Sequence, residues 1–488
     1  MRILHVNTMD RAGGAERVAL GLSRAYERRG HVSRLAVGYK RGKDPNALVV
    51  PLQAATDRGI TWAWPWLEIG DRLSHLVGRV RGARKLRGLL RILAQPQLLA
   101  EAQQGHEDFE FPGSWRILDL LDQRPDVLHC HNLHGGYFDL RSLPWLSQQV
   151  PTVFTLHDMW LLSGHCSHSF DCERWKVGCG SCPDLSIYPA IRRDATAYNL
   201  RRKQEIYEQS RLYVATPSQW LMSMVERSVL ARAIAGTKVV PNGVDLAVFR
   251  HGDQHEARAA LGMSNNARVL LHVGYRTQSN ALRDFATLRA AVEMAAEHMP
   301  DEQITLVCLG EERKPERAGR AEVHFVGYQS DAHVVARYFR ASDIYLHAAK
   351  ADTYPTVVLE SLACGTPVVA TAVGGIPEQV RDGTTGLLVL PHDSASMSRA
   401  ISLLLADEVR RRQMGWLAVD DATRRFDLNR QVDAYLSWYE EILVNWPRTA
   451  LHRQANWSSN PESDGRHSLE MLSASNPRSS SRAPNATS

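Results

Sequence analysis

The chain has 488 residues, 44% of them hydrophobic and 23% charged, which is enough for two or three domains with sizeable cores. A formal net charge of +5 is too slight to argue for nucleic acid. No stretch approaches the roughly 20 apolar residues of a spanning helix, and the apolar run in MRILHVNT is too short for a secretory leader; the expectation is a cytoplasmic chain, soluble or peripheral to a membrane.

In chain order, RILHVN reads as an opening strand, followed by a turn at Gly13-Gly14, the helical pattern AERVALGLSRAYERRG and a second strand, SRLAVGY. This βαβ start lacks GxGxxG, which argues against a dinucleotide oxidoreductase. Residues 49–118 are less regular. Trp62, Trp64 and Trp66 precede Arg79, Arg81, Arg84, Lys85, Arg87 and Arg91, which interleave with Leu and Val. That pattern reads equally as a basic amphipathic element on a membrane surface or as a solvated basic face. DVLHCHNLHGG and VFTLHD are strands that end in histidine-bearing loops, with His129, His131 and His134 bunched in the first and His157-Asp158 closing the second.

Cys166, Cys172, Cys179 and Cys182 follow as C-x5-C-x6-C-x2-C, with His165 and His168 nearby. In a reducing compartment that spacing reads as a structural zinc knuckle rather than as disulfides, with four reduced thiols in a loop as the alternative. Cys130, Cys308 and Cys364 sit in apolar runs and read as core thiols. A second βαβ pattern starts at VLLHVGYR, with Arg276 and Arg283 after its first strand, and ITLVCLG and VHFVGY are further strands. Residues 427–446 form an amphipathic helix, and from Pro447 the Ser-, Asn-, Pro- and Arg-rich composition is that of a disordered tail.

The most informative stretch is 348–380, AAKADTYPTVVLESLACGTPVVATAVGGIPEQV at its centre. A strand ends near Ala349, and a turn carries Asp352. Thr356 is expected to cap a helix over 357–364 that stops at Gly365 and Pro367, and PVVATAV is the next strand. Glu360 lies one turn beyond Thr356 on the same face. The N–H groups of Thr356 and Val357 would face an anion, and Glu360 is placed to accept from ribose hydroxyls.

An acid, seven residues, Glu, then Ala363-Cys364-Gly365-Thr366-Pro367 and Gly374-Gly375-Ile376-Pro377-Glu378 resembles the signature of retaining nucleotide-sugar glycosyltransferases of family 4, with Asp352 where that family usually has Glu. The resemblance extends to VATPSQW and VVPNGVDLAVF and covers most of the chain outside 49–118 and the tail. It implies the GT-B architecture: two doubly wound, Rossmann-like α/β domains across a cleft, an acceptor-binding domain over 1–236 and a nucleotide-sugar domain over 237–426, with 427–446 returning to the first domain and 447–488 as tail. It also implies sugar transfer from a nucleoside-diphosphate sugar to an acceptor hydroxyl with retention, without a catalytic metal. A nucleotide-sugar epimerase and a non-catalytic binding module are the alternatives.

By resemblance, Gly14 lies beside the phosphates, Arg276 and Arg283 hold the diphosphate, and Gly327 and Tyr328 hold the base. Asp352 and His131 take the sugar. The segment HDMWLLSGHCSHSFDCERWKVGCGSCP is similar to enzymes that build bacterial polysaccharides, so the acceptor is expected to be a glycan or lipid-linked.

Overall fold

The apolar runs resolve into two open sheets in a computed structural model of the chain, which describes residues 1–11, 13–51, 82–274 and 280–446 and positions 66, 69, 70, 72, 73, 76 and 80. The first sheet contains β1 (Arg2–Met9), β2 (Val32–Tyr39), β3 (Ala47–Val49), β4 (Val127–Cys130), β5 (Thr152–Thr155), β6 (Leu212–Thr216) and β7 (Ile234–Val239). Their spatial order is β3-β2-β1-β4-β5-β6-β7, and every pairing is parallel. The central strands β4, β5 and β6 are buried at every residue, as a parallel sheet covered on both faces requires.

The second sheet contains β8 (Arg268–Val273), β9 (Ile304–Leu309), β10 (Glu316–Ala318), β11 (Ala321–Val326), β12 (Ile344–His347), β13 (Val368–Thr371) and β14 (Gly386–Val389). The order is β10-β11-β9-β8-β12-β13-β14, parallel except where β10 meets β11. Among the parallel strands of each sheet the order reverses between β1 and β4 and between β8 and β12. Such reversals open a crevice beyond the strand C-termini, where ligands of open α/β sheets bind.

The two halves are tied at several places. Glu378 of the second half accepts from the backbone N–H groups of Gln219 and Trp220 at 2.8 and 2.7 Å. The helix Leu428–Asn445 returns to the first half, burying Val432, Tyr435, Trp438, Tyr439 and Ile442 against Ile3, Val18, Tyr26, Val127 and Tyr213. Its Tyr439 hydroxyl is 2.7 Å from His129 Nδ1, and its Tyr435 hydroxyl is 2.5 Å from Thr155 Oγ1.

Two of the basic residues expected on an outer face of the 49–118 segment turn inward, while Lys85 is exposed. In the helix Ala83–Ala94, Arg87 is 3% exposed with its guanidinium 4.8 Å from the Tyr39 ring centre, and Arg91 pairs with Asp108 at 2.7 Å. These cations turn inward because carboxylate and aromatic partners are there. Leu86, Leu89 and Leu93 face out instead. Trp62, Trp64, Arg79, Arg81, the Arg84 side chain, Arg276 and the tail over 447–488 lie outside the described residues. Among the described residues no helix is long and apolar enough to cross a membrane.

Candidate active site

At the reversal of the second sheet, β12 ends in His347 and the chain turns through Asp352 into the helix Thr356–Cys364. Pro355, extended at φ −65° and ψ 121°, occupies the cap position, so Thr356 is the first helical residue and not the cap expected above. Proline suits that boundary because its missing N–H removes one donor that a helix start leaves orphaned. The Thr356 and Val357 N–H groups keep their place in the first turn, without acceptors inside the helix. Gly365 closes the helix at φ 78°, the left-handed stop that glycine adopts without strain.

Asp352 does not stand alone at the cleft. Its carboxylate pairs with Arg283 Nη1 and accepts from His347 Nε2 at 3.3 Å, while His347 Nδ1 accepts from the Tyr345 hydroxyl at 2.9 Å. Burial alone would raise the Asp352 carboxyl; Arg283 and the His347 hydrogen bond outweigh it and hold the group well below the usual carboxylate range. The pairing uses only part of the guanidinium. Arg283 Nε is buried without a hydrogen-bond partner.

Glu360 is 5% exposed, one turn inside the helix. Arg17, on the helix Gly14–Arg28 of the first half, reaches across to donate from Nη1 to Glu360 Oε1 at 3.0 Å and from Nη2 to Thr356 Oγ1 at 3.4 Å. Burial raises the Glu360 carboxyl, with Arg17 and the Thr356 hydroxyl opposing it. Glu360 Oε2 is buried and unpartnered. Gly14 opens the Arg17 helix, and a Cβ there would meet nothing within 4 Å. Gly327 and Tyr328 follow β11 at the same sheet end, with Tyr328 58% exposed.

At the reversal of the first sheet a row of imidazoles lies behind the surface. His5 Nδ1 is 3.1 Å from His131 Nε2, and His131 Nδ1 is 3.0 Å from His157 Nε2. His131 is therefore withdrawn from the cleft, 1% exposed with both nitrogens engaged, and the ring at the half-buried end of the row is His157. His5 Nε2 has no partner. A buried lone acceptor costs less than a buried lone N–H, so protons run from His5 to His131 to His157, leaving His157 protonated on Nδ1. Burial lowers His5 to about 3 and His157 to about 4, which keeps both rings neutral. Nitrogens of His5, His129 and His131 lie within 4.8 Å of one another, but His129 bonds Thr155 and Tyr439 and His131 bonds His5 and His157, so hydrogen bonds account for the cluster.

Two family models match, Glycosyl transferases group 1 over residues 267–407 and Glycosyltransferase Family 4 over residues 12–248. A D-inositol 3-phosphate glycosyltransferase of Mycolicibacterium gilvum is 34% identical over 339 residues, 65% of this chain and 70% of the relative. The chain belongs to the family 4 glycosyltransferases. Solved structures agree on the fold of this glycosyltransferase. Sucrose-phosphate synthase of Thermosynechococcus elongatus superposes with a TM-score of 0.56 at 19% identity, covering 91% of this chain and 99% of that one. HepE of Anabaena, solved in complex with UDP-glucose, gives 0.54 at 18% identity over 90% and 99%.

Beside the cleft, the glycosyltransferase has a cavity of about 360 Å³ in its first half, lined among others by Tyr39, Arg87, His134, Trp160 and Tyr188. The cysteine loop gathers all four thiols half-buried. A tetrahedral zinc would need sulfur–sulfur edges near ~3.8 Å. No three of these sulfurs lie within 4.8 Å of one another; among the described residues, that closeness belongs to the histidine trio. Cys182 Sγ instead lies 3.5 Å from His165 Nε2.

Two residues at the family 4 enzyme's cleft were missed by sequence reasoning. Arg17 lies 343 residues from its partner Glu360, on an unremarkable helix face. His157 shares its signal with His131, and only the period-2 alternation of β4, which sends His129 and His131 to one covered face, separates them.

Proposed function

We propose that this glycosyltransferase takes a nucleoside-diphosphate sugar as donor and transfers the sugar with retention to a glycan or lipid-linked acceptor in cell-surface polysaccharide assembly. The observation that carries the reading is a matched pair of buried, unpartnered polar atoms in one crevice: Glu360 Oε2, an acceptor suited to ribose hydroxyls, and Arg283 Nε, a donor suited to a phosphate oxygen. Around them, the first-turn N–H groups of Thr356 and Val357 and the positive helix end favour the departing diphosphate. Asp352, engaged by Arg283 and His347, is a poor nucleophile, which supports attack from the leaving-group face without a covalent sugar–enzyme intermediate. His157 stands nearer the surface for the sugar. The 360 Å³ cavity, with its aromatic rings and Arg87, is a natural seat for the acceptor. The HepE structure with UDP-glucose adds support for the donor class.

Thermal shift with UDP-, GDP-, ADP- and dTDP-sugars tests the donor. At least one is expected to raise the melting midpoint, since a ligand bound only by the folded state stabilises it by about 2.7 kcal/mol at 100 times its Kd. No shift with any of them would refute the donor assignment. NMR of the product linkage then reads stereochemistry, and an inverted anomer would refute retention.

We also propose peripheral membrane association through the outward Leu86, Leu89 and Leu93, 47%, 52% and 44% exposed on one helix face. Liposome sedimentation is expected to show binding that Leu86→Glu/Leu89→Glu removes. Binding that is unchanged in this variant would refute the apolar contact.

A further inference from the structure

The cysteine-bearing loop contributes a residue to the cleft that neither the family signature nor the donor reading above includes. His168 is 7% exposed and lies with its ring stacked on Trp220, the planes 15° apart and the centroids 5.8 Å apart. Trp220 is the residue whose backbone N–H is held by Glu378 of the second half, so the imidazole lies where the halves meet. The backbone N–H of Phe170 donates to His168 Nδ1 at 3.0 Å. That bond is made by a tight turn in which Phe170 takes φ 48°, a left-handed conformation uncommon for a residue with a side chain. Around it, Ser167 is pinned on both sides, accepting from Met159 N at 2.8 Å and donating its own N–H to Tyr188 O at 2.7 Å.

The Phe170 bond fixes the chemistry of the other ring nitrogen. With Nδ1 accepting, a neutral imidazole carries its proton on Nε2. Asp352 and Asp158 lie near the ring, one from each half of the molecule. Nε2 is buried and has no hydrogen-bond partner. A buried N–H without an acceptor is the costlier kind of orphan, and native folds seldom keep one except where a ligand supplies the acceptor. Asp158 makes no bond to His168 Nε2; its oxygens accept from His134 Nε2 at 2.7 Å and from the Trp160 N–H at 2.9 Å. Asp352 is held by Arg283 and His347.

We propose that His168 is a donor-sugar contact of the cleft, its Nε2–H donating to a hydroxyl oxygen of the transferred sugar beside Asp352. This rests on the nucleotide-sugar reading above. Asp352 and His168 then form a complementary pair, an acceptor and a donor, that reads hydroxyls by direction. The left-handed turn at Phe170 is the local strain that keeps the donor pointing the right way.

The test is calorimetric titration of wild type, His168→Asn and His168→Gln with UDP and UDP-glucose, GDP and GDP-mannose, and ADP and ADP-glucose. Glutamine places an amide N–H near the imidazole Nε2 position, whereas asparagine can satisfy only the Phe170 contact. His168→Asn is expected to weaken the sugar nucleotide about tenfold while changing the free nucleoside diphosphate less than about twofold, and His168→Gln to recover most of the loss. Equal loss for both ligands, no loss for either, or recovery by asparagine instead of glutamine would overturn the assignment of His168. A wild type that binds none of the six compounds would overturn the donor reading, and this assignment with it. Melting midpoints of both variants separate a folding defect, which would weaken all ligands alike, from a lost contact.

Discussion

Replacing Arg283 with methionine is expected to destabilise the second half by about 3–5 kcal/mol and to remove sugar transfer, the largest single effect in the molecule. The cost arises from what is left behind. Asp352 has a side chain 15% exposed, and without the guanidinium its charge loses the one arginine or lysine that pairs with it among the described residues. Asn at 352 removes that charge, so the double variant Asp352→Asn/Arg283→Met is expected to regain much of the stability and none of the activity. Urea midpoints measure the first quantity and product formation the second; a single Arg283→Met variant as stable as wild type would refute the account.

The pH dependence has a definite sign. Asp352 has its folded pKa depressed below its unfolded value, so the stability it contributes is present above the ordinary carboxylate range near ~4 and is lost as pH falls toward the folded pKa. Wild type is expected to lose this contribution on acidification, and the double variant is not.

Glu360→Ala is expected to weaken nucleoside diphosphate binding by about 10- to 100-fold, the range for a hydrogen bond to a charged group. The carboxylate presents Oε2 unpartnered and Oε1 to Arg17, so its loss also cuts a tie between the halves. Arg17→Ala cuts that tie and leaves the Glu360 side chain, 6% exposed, without its cation, so it is expected to lower stability while leaving the ribose-facing Oε2 in place. Nucleotide binding in Arg17→Ala is therefore expected to stay within about threefold of wild type. Titration with the nucleotide that gives the largest thermal shift checks both, and a Glu360→Ala protein with unchanged affinity would refute the ribose assignment.

The architecture was legible where physical constraints are local. Apolar runs bounded by glycine and proline located the inner strands around both reversals, while the short or edge strands β3, β7, β10 and β14, and β6, were not read as strands; the four-residue step from Thr356 to Glu360 predicted their shared helix face. The proline at 355 displaced the cap by one position because it takes the extended conformation of a cap residue itself. Long-range pairing was not legible. Nothing near Asp352 announces Arg283, 69 residues away, as its partner, and nothing in the first helix announces Arg17. The histidine-rich loop offered three similar rings; burial withdraws His129 and His131, and the half-buried ring of the row, His157, comes from the following loop. His168 stood in the sequence only as a neighbour of the cysteines, because its meaning depends on one backbone N–H, from a residue in an unusual conformation that no periodicity encodes.

The helix Leu428–Asn445 has a consequence for how the protein is made. The first sheet is complete by Val239, yet Ile3, Val18, Tyr26, Val127 and Tyr213 are covered only by residues synthesised about 200 positions later, at the ~5–20 residues per second of translation. During those seconds the emerging half carries an uncovered apolar face, and His129 lacks the tyrosine that engages it. An expression vector ending near residue 240 would leave that face open for good, so the first half is best produced with the 428–445 helix supplied, fused or as a separate peptide.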